Sequence, residues 1–112
     1  MTLFEKIIAG EIPADSVYED DYCVAFKDIH PQAPTHLLVV PRKPIVNVAE
    51  ATDEDAEVLG RVLIAARNVA RKIGVEKSGY RLCMNNGAGA GQTVFHLHCH
   101  LLAGREMRWP PG

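Results

Sequence analysis

His96-Leu97-His98-Cys99-His100-Leu101-Leu102 sets three histidines in alternation with apolar residues, and its reading decides the fold. Successive side chains on a strand point to opposite faces, so a strand over residues 94–102 puts His96, His98 and His100 on one face. Leu97, Cys99 and Leu101 then form the other face and go to the core. Neighbouring imidazoles stand roughly 6.6 Å apart on such a strand, close enough to share one small anion or one metal ion. Three of the chain's five histidines lie in these five residues.

Three readings of the triplet compete. A solvent-facing strand can carry exposed histidines with no further role. A His-x-His pair on a strand can chelate zinc, but the outer two histidines are about 13 Å apart at the backbone and converge poorly on a tetrahedral ion. The third reading is catalysis by imidazole itself: near its ordinary pKa of about 6.5 a histidine at pH 7 is mostly neutral, and it needs no separate base to act as a nucleophile.

Composition sets the frame. A chain of 112 residues is expected to form a single domain over residues 1–112, burying roughly two-thirds of its unfolded surface without staples. Cys23, Cys83 and Cys99 are odd in number and embedded in apolar runs, which suits buried thiols in a reducing compartment. No leader pattern and no run of eighteen apolar residues is present, so the expectation is a cytoplasmic protein that does not engage a membrane. A formal net charge of −2 argues against nucleic acid as a partner.

Outward from the triplet, the punctuation predicts short elements of an α+β fold. Thr2 with Glu5 forms a capping box for a short first helix that Gly10 ends. Strands are expected over 17–19, 22–27, 36–41 and 80–84, besides 94–102. A long helix is expected over 52–73, with Val58, Leu59, Val62, Leu63, Ala66, Val69, Ala70 and Ile73 as its core stripe and Gly74 as its stop. Strands adjacent in sequence, with the helices set apart, predict one largely antiparallel five-stranded sheet. The segment Asp28-Ile29-His30-Pro31-Gln32-Ala33-Pro34 reads as a rigid loop that presents side chains. The run Asn85-Asn86-Gly87-Ala88-Gly89-Ala90-Gly91-Gln92-Thr93 lacks the ending of a P-loop. It is either a flexible hairpin connection or an anion nest. Because it feeds the histidine strand, Gln92 and Thr93 are expected to place donors beside the imidazoles.

These residues resemble the histidine triad superfamily, and specifically its nucleotide-binding Hint branch, whose His-φ-His-φ-His-φ-φ motif residues 96–102 match throughout. Phe26-Lys27-Asp28-Ile29, Pro31 to His36, Val39-Val40-Pro41, the N-terminal Phe4, Ile7, Ile8, Glu11, Ile12 and Pro13, and the ending Trp109-Pro110-Pro111-Gly112 carry the likeness over nearly the whole chain. The resemblance implies a HIT-like fold whose sheet continues across a homodimer. It also implies purine nucleotides such as AMP, adenosine phosphoramidates and acyl-adenylates as ligands, and chemistry without metal or other cofactor. By motif position, His98 is implied as the nucleophile, His96 as its orienting neighbour, His100 and Thr93 as phosphate contacts and proton donors, and His36 as the end of a proton relay. Asp28 is implied for the ribose, with Ile29, Phe4, Ile7, Ile12 and Phe26 around the purine. Asn85, Gly91, Gln92 and Cys99 are implied to complete the nucleotide site. For Ile7, Ile12 and Phe26, ordinary core packing is an equal reading. Thr93 stands where relatives usually carry serine, and Lys27 and His30 also depart from the common residues. The implied activity is a phosphoramidase that releases AMP; the alternative is an AMP-binding regulatory module with little catalysis.

Overall fold

A computed structural model describes residues 1–112. The chain runs α1 (Leu3–Ile8), β1 (Ser16–Glu19), β2 (Cys23–Lys27), β3 (Thr35–Pro41), α2 (Ala56–Ile73), β4 (Tyr80–Cys83) and β5 (Cys99–Ala103). The strands form one sheet in the order β1-β2-β3-β5-β4, and every neighbouring pair is antiparallel. No helix is long and apolar enough to cross a membrane.

Period-two alternation divides the sheet into two faces, each with its own cluster. Leu37 and Val39 on β3, Cys99 and Leu101 on β5, and Cys23 and Ala25 on β2 pack against Val62, Ala65, Ala66, Val69 and Ala70 of α2. On the opposite face Val24, Phe26, Leu38 and Val40 pack with Phe4 from α1. Thr2 caps α1 reciprocally with Glu5, as the capping box predicts, and Gly74 ends α2 in the left-handed conformation at φ +78°. Within α2 the expected stripe is corrected at one position: Leu63 is 51% exposed, and Ala65 takes the buried place. Leu59 and Leu63 are one turn apart, but only the former turns far enough inward to touch the core.

The largest departure from the sequence reading falls on the histidine segment. The expected strand over 94–102 begins only at Cys99, leaving residues 94–98 outside the ladder. Continuing the β3–β5 register past the Val39–Cys99 pair would set Leu97 opposite Pro41, which has no N–H to give to a ladder. The backbone finds other partners: Leu97 N–H donates to Ile45 O at 2.6 Å, and the Pro41 carbonyl receives the His96 ring at 2.7 Å. Side-chain alternation nonetheless survives, since Leu97 joins the α2 face while Phe4 packs edge-on against both His96 and His98.

Candidate active site

On the face opposite α2, a cleft of about 510 Å³ opens between α1, the β2–β3 loop and the histidine segment. Its walls include Phe4, Ile7, Ile12, Phe26, Leu38, Asp28, Ile29, Thr93, His98 and His100. One end is thus apolar and the other carries imidazole and carboxylate, the arrangement expected of a site that takes a flat apolar ring joined to an anion. Ile29 is 82% exposed at the rim, and Thr93 is exposed with its hydroxyl unengaged.

His98 is held in a defined tautomer. Its Nδ1 donates to the backbone carbonyl of His96 at 2.7 Å, which leaves the Nε2 lone pair free. Phe4 packs perpendicular to the ring, with centroids 4.9 Å apart, and the His100 ring centroid lies 5.0 Å away. Burial pushes the His98 pKa below 6.5, and the His96 ring adds to that; the hydrogen bond to the His96 carbonyl and the Asp28 charge oppose it. The ring is therefore neutral at pH 7, with an available nitrogen.

His100 belongs to a chain that begins in the backbone of the β2–β3 loop. Gln32 N–H donates to His36 Nδ1 at 3.0 Å, so the proton of the neutral His36 ring sits on Nε2. His36 Nε2 lies 2.8 Å from His100 Nδ1 and donates to it, and the His100 proton consequently resides on Nε2, the free ring nitrogen. Asp28 Oδ2 lies 3.4 Å from His36 Nε2, while Oδ1 accepts the His30 N–H at 2.8 Å. Burial, then the neighbouring His98 and His36, push the His100 pKa down to about 4, against the pull of Asp28. His36 is lowered as well, by burial, with Asp28 opposing.

Asp28, His36 and His100 also bring three ligand-type atoms within 4.8 Å of one another. The group is nevertheless poorly suited to a cation. A metal on His36 Nε2 would force the ring proton onto Nδ1, where it would meet the Gln32 N–H head to head. The same donor that sets up the proton chain therefore opposes a metal.

The structure gathers His36, His98, His100, Asp28, Ile29, Thr93, Phe4, Ile7, Ile12 and Phe26 around one cleft. The remaining candidates lie elsewhere. His96 is 0% exposed and its ring does not reach the cleft; its Nε2 donates to Pro41 O and its Nδ1 has no partner. Its link to His98 is through its carbonyl. Cys99 points into the α2 face, where burial pushes its thiol up to about 11. Gln92 is buried, and its amide is fully engaged: Nε2 donates to the carbonyls of Val46 and Val94, while Oε1 accepts from Gly87 N and Asn47 Nδ2. It staples the glycine-rich loop instead of offering donors to the cleft. Asn85 accepts the Cys83 thiol and lies beside Gly91, and neither lines the cleft.

Sequence reasoning passed over Leu38, Val94, Pro13 and the Gln32 amide. Leu38 was within reach, since it stands two residues after His36 on one strand and so shares its face. A backbone N–H aimed at an imidazole leaves no such signal.

A family model described as HIT domain matches residues 9–107, and the chain belongs to that family. It is 55% identical over 111 residues to an uncharacterized HIT-like protein of Synechocystis, covering 99% of this chain and 96% of that one. A HIT family hydrolase from Legionella pneumophila superposes with a TM-score of 0.97 at 51% identity over 100% of both chains. A histidine triad nucleotide-binding protein from Candida albicans does so at 0.82 and 30% identity, over 90% of this chain and 73% of that one.

Proposed function

We propose that this protein is a purine-nucleoside phosphoramidase of the Hint branch, cleaving adenosine 5′-phosphoramidates and acyl- or aminoacyl-adenylates to AMP through a nucleotidyl-His98 intermediate. The observation that carries the reading is the His98 tautomer: Nδ1–H is committed to the His96 carbonyl, which leaves an unprotonated Nε2 beside a cleft of nucleoside size. The hydrolase name of the Legionella protein and the nucleotide-binding name of the Candida protein support it.

In the first step a bond forms between Nε2 and the α-phosphorus as the bond from phosphorus to the amine breaks. The amine leaves with the electron pair and takes the His100 Nε2 proton. The His36 Nε2 proton shifts toward His100 Nδ1 as charge develops on that ring, and a solvent proton taken up at His100 Nε2 returns both rings to their resting tautomers. Water then attacks phosphorus, the P–Nε2 bond breaks, and the water proton returns along the same chain. Covalent catalysis replaces one hard displacement by two easier ones. Asp28 has lone pairs left for ribose hydroxyls, and Phe4, Phe26, Ile7 and Ile12 supply an apolar slot for the base.

Rapid quench with an adenosine phosphoramidate is expected to give a mass gain of one nucleotidyl group, mapped to His98. His98→Ala is expected to lose turnover by orders of magnitude while keeping its circular dichroism spectrum. Substantial residual turnover would remove His98 from the role. Affinity for AMP without any turnover in the unmodified protein would favour a regulatory binding module.

The same reading includes a homodimer. β4 is an open sheet edge, and Leu82 on it is exposed on the same side of the sheet as the exposed Leu63 and Ile64 of α2. An edge strand beside exposed apolar side chains is well placed to pair with its own copy. Sedimentation of the intact protein distinguishes one chain from two.

A further inference from the structure

Of the seven arginines three have carboxylate partners, Arg42 with Glu19, Arg61 with Glu57 and Arg71 with Glu76, and Arg67 bonds the Asn68 amide on its own helix. Arg81, Arg105 and Arg108 have none. They converge on a second cleft, of about 470 Å³, whose only acidic side chain is Glu106 and whose remaining walls are Pro110, Pro111 and Gly112. Three guanidiniums against the single Glu106 side chain, in a chain of net negative charge, leave a local cationic excess.

This cleft is built onto the catalytic apparatus. Sheet register pairs Cys83 with His100 and Arg81 with Leu102, while Leu102 also pairs with His36. Arg81 therefore sits on the histidine face, diagonal to His100 at about 7–8 Å between backbones, within reach of a long side chain. It lies on the far side of β5 from the cleft that holds the apolar slot. The tail carrying Arg105 and Arg108 is fixed at two points. Arg105 Nε donates to the carbonyl of Gln32, the residue whose N–H sets the His36 tautomer. Arg81 Nη2 donates to the carbonyl of Arg108 at 2.9 Å. Gly104 makes the turn possible: at φ +91° it tucks against Pro34, where an added Cβ would come within 2.9 Å of the ring.

We infer that Arg81, Arg105 and Arg108 form an anion subsite for the leaving group, so that phosphoramidates whose departing amine carries a carboxylate or phosphate are favoured substrates. This rests on the phosphoramidase reading above. The nucleoside occupies one side of β5, its phosphorus lies at His98 and His100, and the amine extends to the other side, toward the guanidiniums. Arginine suits the task because its planar donor fork matches carboxylate and phosphate alike.

The test compares the adenosine 5′-phosphoramidates of β-alanine, of β-alaninamide and of O-phosphoethanolamine, the last two separating neutral from phosphate-bearing amines. In the intact protein kcat/KM for the β-alanine compound is expected to exceed that for β-alaninamide about tenfold, the worth of one charge-assisted hydrogen bond. The ratio should shrink as salt rises. In Arg81→Gln/Arg108→Gln, which spares the Arg105 anchor on the relay loop, the ratio is expected to fall toward one; a merely structural role would slow all three substrates together. A stronger preference for the phosphate compound than for the carboxylate identifies phosphate as the better ligand of the same subsite. A ratio of one or less in the intact protein, or a ratio unchanged in the variant, overturns the inference. If none of the three is hydrolysed, the phosphoramidase reading has failed. The subsite is then decided by the ratio of their dissociation constants, measured calorimetrically in both proteins.

Discussion

His36 Nε2 lies 2.8 Å from His100 Nδ1, although 64 residues separate the two along the chain. The contact is directional. With Gln32 N–H occupying His36 Nδ1, the proton of each ring is assigned, and the last one points from His100 Nε2 toward the cleft. Nitrogen-detected NMR at neutral pH is expected to find His36 and His100 as Nε2–H tautomers and His98 as the Nδ1–H tautomer. Any other distribution breaks the proton chain. His36→Ala is expected to lower kcat by about 10²-fold or more, the usual contribution of a proton-transfer group, with a smaller effect on AMP affinity.

Metal removal is expected to leave the rate unchanged. The donor that holds His36 Nδ1 disfavours a cation on Nε2, so dialysis against a chelator removes nothing the proposed chemistry uses. A loss of activity restored by added zinc would count against both the tautomer assignment and the mechanism.

Acid should act on rate and stability together. His36, His98 and His100 are all lowered from 6.5, the last to about 4, chiefly by burial. Below pH 6.5 the unfolded chain binds protons that the folded chain refuses, so stability from these rings is complete above 6.5 and is lost as pH falls toward 4. Thermal midpoints are expected to be flat with respect to these groups near neutrality and to drop across that window. The acid limb of kcat/KM is expected below pH 6.5, because His98 keeps its free lone pair there. A limb centred above 6.5 would contradict the burial-driven shift.

Phe4 joins the core to the chemistry. It is buried against Phe26 with centroids 5.5 Å apart, and its edge meets His98. Phe4→Ala is expected to cost about 3–5 kcal/mol in urea unfolding and to lower kcat beyond any loss of AMP affinity, since the His98 ring loses its packing partner. A stability loss with kcat intact would reduce Phe4 to a core residue.

Much of the architecture was legible because it rests on local rules. Capping residues, the left-handed Gly74 and period-two alternation locate α1, α2 and the first four strands to within a few residues, and they assign Leu97, Cys99 and Leu101 to the core. The errors share a cause: each depends on a partner distant in the chain. Pro41 ends the ladder that residues 94–98 were expected to extend. Gln92 turns inward because the Val46 carbonyl and the Asn47 amide lie within its reach. Leu63 stays in solvent because the sheet under α2 meets only one side of the helix.

Sequence alone determined that three imidazoles would lie toward one face with apolar residues toward the other, since alternation is a property of extended backbone whatever surrounds it. Tertiary structure alone decided which imidazole nitrogens carry protons. Those positions follow from hydrogen bonds to the His96, Pro41 and Gln32 backbone, and a hydrogen bond exists only once folding has brought donor and acceptor into line.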